Sequence, residues 1–297
     1  MFLLRKGKGS VMLLEHPVLL TSILKKAITV TPRTSLVDAL GLLLRYRIKR
    51  LVVVENSKPV GIITEKDIAR STSAFNERNI GEMRVGNIMS KNLVTVKKAN
   101  SVYDCAKLMK KNKISSVIVL NEDGSLTGIV TKTDLVGTFL INGTSGAEVS
   151  KYMTCKVVSV DPQDPLFVVQ SVLVNNKISR VVVEKNKKPI GIITYRDFLP
   201  AKTANWIEEY TDVDDLEELR INPKINEFNA NSLDHVLTFR AENIMTTNPV
   251  VINKNESLFK AALLMIRNQI SGLPVIHNNL SVGIITKSDI ANALAEA

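Results

Sequence analysis

The sequence predicts an α/β protein built from four β-α-β-β-α repeats that pack in pairs. Three observations predict it. A motif of glycine, two β-branched residues, threonine, and aspartate three positions later recurs as GIITEKD, GIVTKTD, GIITYRD and GIITKSD, at Gly61–Asp67, Gly128–Asp134, Gly191–Asp197 and Gly283–Asp289. The same order of elements precedes each copy. Each unit has about fifty residues, too few to stabilise a core alone, so repeats must share one.

The elements follow in order. Each repeat opens with a short β-branched run (AITV, LVTV, VVSV, PVVI), which reads as a strand. A polar or proline-containing turn leads into an amphipathic helix. In the first repeat Leu36, Ala39, Leu40, Leu43 and Leu44 recur at helical spacing; in the second, Val102, Ala106 and Met109 do. A second strand follows (RLVVV, SVIVL, RVVVE, GLPVI), and the tight polar turns ENSKP, NEDGS, EKNKKP and HNNL join it to the glycine-led strand as a hairpin. The closing helix starts at the T-x-x-D.

Repeats 1 and 2 form the natural first pair and repeats 3 and 4 the second, sheet against sheet with helices covering the outside. The Gly/Ser/Thr-rich INGTSGAEVS reads as the linker between pairs. The expected division is an N-terminal extension 1–26, repeats at 27–75, 86–141, 149–200 and 241–297, and an insertion at 201–240. The acidic part of that insertion, Glu208 to Glu218, is expected as a solvated helix with Trp206 at its head. It reads as packing on the second pair, with a partner-docking element as the alternative.

A chain of 297 residues can bury more than one core. No run of eighteen apolar residues exists, so no membrane span is expected. Glu15, His16 and Pro17 interrupt the apolar N-terminus and no small-residue cleavage site follows, which points to the cytoplasm. Cys105 and Cys155 suggest a reducing interior and apolar packing. His16, His235 and His277 lie far apart, so no metal site is expected. The net charge of +10 favours anions: nucleotides, nucleic acid, an acidic partner or acidic lipid.

The T-x-x-D has a purely structural use as a capping box, in which Thr64 accepts from the Asp67 N–H while the carboxylate reaches back to the Thr64 N–H. Such a cap contributes about 1 kcal/mol and needs no ligand. The box usually carries Glu or Gln, however, and all four copies here carry Asp. A helix N-terminus also attracts phosphate, to which a threonine hydroxyl adds a donor. Phosphate is therefore expected near Thr64, Thr131, Thr194 or Thr286. A carboxylate beside it suits the vicinal hydroxyls of a ribose, each bond contributing roughly 1.5–3 kcal/mol. Together these describe a nucleotide site.

Flanking cations break the symmetry. Arg50 and Arg180 begin the second strand in repeats 1 and 3, against Ser116 and Gly272 in repeats 2 and 4. Lys66 and Arg196 precede the aspartate in repeats 1 and 3, against Thr133 and Ser288. Phosphate binding is thus expected to be uneven, with one stronger site per pair.

Nucleic-acid binding is the rival reading, carried by the basic balance and by KKNK (Lys110–Lys113) and KNKK (Lys185–Lys188). Aromatic residues are few and scattered, which argues against a stacking surface. No paired carboxylates, nucleophile-and-base set, Walker loop or metal cluster is recognisable, so no catalysis and no catalytic cofactor is expected.

These repeats resemble the cystathionine β-synthase (CBS) domain, whose hallmark is this strand-helix-strand-strand-helix order ending in G-h-h-[TS]-x-x-[DN]. All four copies match, over nearly the whole chain except the first twenty-odd residues and the insertion. The resemblance implies two Bateman modules that bind adenosine-containing ligands in clefts between paired repeats. Asp67, Asp134, Asp197 and Asp289 would then hold ribose hydroxyls. Thr64, Thr131, Thr194 and Thr286 would contact ribose or phosphate, and Ile28, Val94, Val158 and Val250 would flank the adenine. Arg50 and Arg180 resemble phosphate-binding cations of the gamma subunit of AMP-activated protein kinase, and Lys66 and Arg196 are expected to add to phosphate binding through their place before the aspartate. That subunit also carries four such repeats, so its layout implies modules stacked as a disc. The implied ligands are AMP, ADP or ATP as regulatory ligands, with S-adenosylmethionine or a related nucleoside as the alternative. The implied partner is a regulated protein, and self-association is left open.

Overall fold

A computed structural model describes residues 18–71, 82–142, 146–199 and 239–296 of the chain. Trp206 and the acidic stretch Glu208–Glu218 lie outside those residues. The first repeat comprises β1 (Thr29–Val30), α1 (Leu36–Arg45), β2 (Arg50–Glu55), β3 (Lys58–Thr64) and α2 (Glu65–Ser71). A short helix α3 (Val85–Ile88) leads into the second: β4 (Thr95–Lys97), α4 (Val102–Lys111), β5 (Ser116–Leu120), β6 (Leu126–Thr131) and α5 (Lys132–Asn142). After α6 (Val149–Tyr152) the third has β7 (Ser159–Val160), α7 (Leu166–Asn175), β8 (Arg180–Lys185), β9 (Lys188–Thr194) and a 3-10 turn, Tyr195–Phe198. The fourth follows α8 (Ala241–Ile244) and β10 (Thr246–Thr247), with β11 (Ile252–Asn253), α9 (Leu258–Arg267), β12 (Gly272–His277), β13 (Leu280–Thr286) and α10 (Lys287–Glu296).

Local sequence explains the repeat. The opening strand runs parallel to the middle strand and the hairpin is antiparallel, as in Val30↔Val53 and Val53↔Gly61. Two consecutive left-handed residues turn three of the hairpins: Asn56 and Ser57, Asn186 and Lys187, Asn278 and Asn279. This is the turn whose twist matches paired strands. The second hairpin has a longer loop and uses Gly124 at φ 80°. Ser35, Ser101 and Ser257 cap α1, α4 and α9 by accepting a backbone N–H of the first turn. Leu36, Ala39, Leu40 and Leu43 are buried as their spacing predicts, as are Val102, Ala106 and Met109; Leu44 is half-buried.

The sheets of repeats 1 and 2 pack face to face through Ala27, Val52, Ile118 and Ile129. The segment ahead of each repeat crosses to its partner. Lys25 pairs with Ile129, Ser90 with Ile62, Thr154 with Ile284, and Thr246 with Ile192. The crossing segments also bury side chains in the partner's core: Leu20 beside Val102 and Met109, and Val149 beside Leu258. The N-terminal stretch set aside as an extension is therefore part of the fold from Val18 onward. The linker INGTSGAEVS is partly taken up too, because α5 runs to Asn142 and α6 begins at Val149.

The helices do not all lie outside, which corrects the sequence expectation. One core joins Leu40, Leu43 and Ile68 of repeat 1 to Val169, Leu173 and Tyr195 of repeat 3. Helix α5 is apolar on more than one side: Leu135 packs in its own repeat, while Val136 and Phe139 pack against Ile290 and Ala293 of α10. A helix apolar nearly all round must be covered on both sides. Each repeat therefore meets one neighbour through its sheet and another through its closing helix. Cys105 is buried as expected, but Cys155 is exposed and does not pack in a core. No described helix is long and apolar enough to cross a membrane.

Candidate functional site

Every T-x-x-D forms the same local structure where its glycine-led strand passes into the closing turn. The threonine N–H and hydroxyl both donate to one carboxylate oxygen. For Thr64 and Asp67 Oδ2 the distances are 2.9 and 2.6 Å, and for Thr131 and Asp134 Oδ2 they are 2.8 and 2.6 Å. Thr194 and Asp197 give 2.5 and 2.8 Å, and Thr286 and Asp289 give 2.7 Å for both. The hydroxyl proton expected to serve a phosphate is thus given to the aspartate. Each threonine oxygen keeps only acceptor capacity while that bond holds.

The second carboxylate oxygen distinguishes the sites. Asp67, Asp197 and Asp289 are half-buried, and among the described residues their Oδ1 atoms accept no hydrogen bond. Asp134 Oδ1 instead takes the Lys25 ammonium at 2.7 Å. The Asp134 side chain is 3% exposed, whereas that of Lys25 is 66% exposed. Burial raises the pKa of Asp197 and of Asp289, opposed by the bonds from their threonines.

The two strand arginines serve their partners. Burial lowers the Arg50 guanidinium to about 10, and the charges of Asp134 and Glu65 offset part of that cost. Its Nη1 is buried without a hydrogen-bond partner. Burial likewise lowers Arg180 to about 10, offset by Asp289. Gly272 holds in repeat 4 the place that Arg180 holds in repeat 3, and a Cβ there would overlap the Arg180 guanidinium. The cations assigned to repeats 1 and 3 by sequence thus lie within electrostatic reach of the aspartates of repeats 2 and 4.

Lys66 and Arg196 lie elsewhere. Arg196 forms an ion pair with the buried Glu65, Nε donating to Oε1 at 2.8 Å. Lys66 stands over the Tyr195 ring, 5.3 Å from its centroid. Both join repeat 1 to repeat 3. The residues after the threonines, Glu65, Lys132, Tyr195 and Lys287, therefore form the contacts between pairs. Lys132 Nζ donates to Ser288 Oγ at 2.9 Å and Lys287 Nζ to Thr133 Oγ1 at 3.1 Å. Lys49 Nζ reaches Ser271 Oγ at 2.9 Å, bridging repeats 1 and 4. Burial, then Arg180, lower Lys287 to about 8, with Asp134 opposing.

Ile28, Val94, Val158 and Val250 are each half-buried against a core and keep an open edge. Ile28 and Val94 also anchor their sheets by accepting from Val52 and Ile118 at 3.1 Å. Sequence reasoning missed Lys25, Glu65 and Lys287. A lysine beside the partner's aspartate carries no local signal, because the crossing of the leader sets its position. Among the described residues no cluster of three His, Cys, Asp or Glu side chains suits a metal ion.

The chemistry of each closing turn is thus a carboxylate held by its own threonine. Two of the four carboxylates lie within electrostatic reach of a buried arginine from the partner repeat. The CBS domain family model matches residues 20–73, 85–140, 149–203 and 241–296. The protein MJ1225 of Methanocaldococcus jannaschii is 27% identical over 287 residues, covering 91% of this chain and 96% of its own. Its crystal structure, described as that of a candidate archaeal homolog of g-AMPK, superposes with a TM-score of 0.78 at 26% identity, over 92% of this chain and 99% of that one. MJ1426 of the same organism is 29% identical over 224 residues, 74% of this chain and 97% of its own. A Pyrococcus horikoshii protein shares the fold, with a TM-score of 0.61 at 20% identity over 93% of this chain and 100% of that one.

Proposed function

This chain belongs to the CBS domain family, and from that premise we propose that it is a non-catalytic cytoplasmic sensor of adenosine-containing ligands, with AMP, ADP or ATP as the preferred class. The observation that carries the reading is Arg50, whose Nη1 is buried without an acceptor beside a carboxylate of the neighbouring repeat. A buried guanidinium that lacks an acceptor is costly, and a phosphate satisfies it well. In the second pair Arg180 is likewise buried, with the charge of Asp289 offsetting part of that cost.

In this reading the aspartate takes the ribose diol, the partner's arginine takes the phosphate, and the aliphatic opening strand takes the base. A ligand then grips both repeats of a pair at once. It favours the relative angle at which both grips are met, and a regulated protein reads that angle. The likeness to MJ1225, described as a candidate homolog of g-AMPK, supports the same class.

Calorimetry with AMP, ADP, ATP and S-adenosylmethionine tests this. Binding of a phosphate-bearing ligand, weakened by Asp289→Ala, is the expected result. Failure of all four to bind would end the reading.

A further inference from the structure

We propose that Lys25 makes the Asp134 cleft selective for anionic nucleotides, because only a ligand that brings a phosphate draws the ammonium off the carboxylate that a ribose needs. This inference rests on the nucleotide reading above and adds to it the class of ligand that one cleft accepts.

Asp134 is the closed member of the four aspartates. Oδ2 accepts the Thr131 N–H and hydroxyl, and Oδ1 accepts Lys25 at 2.7 Å. No acceptor face is left for a pair of hydroxyls. The closing group is a single side chain, and that side chain is itself exposed. It stands on a fixed base: Lys25 N donates to Ile129 O at 3.2 Å and Ile129 N donates to Lys25 O at 2.9 Å. The ammonium can therefore swing while its backbone stays paired.

The pseudo-symmetry of the fold isolates the effect. Ser90, Thr154 and Thr246 pair with Ile62, Ile284 and Ile192 just as Lys25 pairs with Ile129. Three crossing segments thus carry a short hydroxyl side chain at this position, and one carries a cation. A neutral nucleoside meeting Asp134 must break a charge-assisted bond and leave the exposed lysine only water in return. The sulfonium of S-adenosylmethionine would add repulsion. A nucleotide offers the ammonium a phosphate, beside the buried Arg50, and frees Oδ1 for the diol.

The test compares adenosine, S-adenosylmethionine and AMP by calorimetry on the full chain, on Lys25→Ser and on Lys25→Arg. Serine copies the type at the equivalent positions, and arginine keeps the ion pair. With Lys25→Ser, adenosine should bind at least about tenfold more tightly and the preference for AMP over adenosine should fall. Adding Asp134→Ala should remove that gain, and Lys25→Arg should keep the preference. An AMP-to-adenosine ratio unchanged by Lys25→Ser, with AMP still bound, overturns the Lys25 assignment and leaves the sensor reading standing. No adenosine ligand bound by any variant overturns both.

Discussion

Lys132 and Lys287 reach past each other across the contact between the two pairs. Lys132 donates to Ser288, the neighbour of Lys287, and Lys287 donates to Thr133, the neighbour of Lys132. Burial and the nearby Arg180 disfavour the charge on Lys287, and Asp134 offsets them only in part. Each cation has a neutral hydroxyl where a carboxylate would serve better. The arrangement favours an incoming anion.

The first prediction concerns pH. Lys287 titrates near 8 in the folded chain against 10.5 for an ordinary lysine. Between those values the unfolded chain holds the proton and the folded chain does not. This group's contribution to ligand-free stability therefore rises as pH climbs from about 8 towards 10.5. Anion binding has the opposite sign. A phosphate favours the charged lysine, so nucleotide affinity should fall as pH rises through about 8, with proton uptake on binding. Titrations at pH 8 in buffers of different ionisation heat measure that uptake; its absence would show that Lys287 does not face the ligand.

The second concerns the crossed arginines. Arg180→Ala should weaken AMP binding about tenfold or more while changing adenosine binding little, since only the phosphate contact is lost. Gly272→Ala should do the same from the other repeat, because its methyl displaces the Arg180 guanidinium. Calorimetry with both ligands checks this. Equal losses for AMP and adenosine would place Arg180 outside the phosphate contact.

The third concerns the contact between repeats 1 and 3. Glu65 is buried and is paired with Arg196. Arg196→Ala strands that carboxylate and should cost about 1–3 kcal/mol, less than a fully buried pair because Arg196 keeps some exposure. Glu65→Gln should cost less, since it leaves no buried carboxylate and Asp134 still offsets the buried Arg50. Urea midpoints of the two variants compare them, and the reverse order would count against the account.

The fourth concerns the crossing leaders. A Cβ at Gly61 meets the Met89 side chain at 2.5 Å, and Met89 can move. A Cβ at Gly128 meets the Lys25 carbonyl, which is backbone and already pairs with Ile129. Gly128→Ala should therefore destabilise more than Gly61→Ala, by about 1–3 kcal/mol, and should pull Lys25 away from Asp134. Thermal melts check the first part. A gain of adenosine binding checks the second.

The repeat itself was legible in the sequence, because everything that specifies it is local. Asn–Ser, Asn–Lys and Asn–Asn supply the left-handed turns of three hairpins, serines supply helix caps, and leucines four residues apart mark a helix face. The four Thr–Asp contacts span three residues each, so the motif predicts them directly. What lay beyond reach was which repeat each side chain serves. Arg50 reads as a residue of repeat 1 and acts beside Asp134; Lys25 reads as part of an extension and closes the same aspartate. Only the tertiary structure decided these, since they depend on leaders that cross to a partner sheet and on closing helices that meet across the pairs. Chain-local propensities act over a few residues, whereas these contacts depend on how whole repeats bury their shared apolar faces.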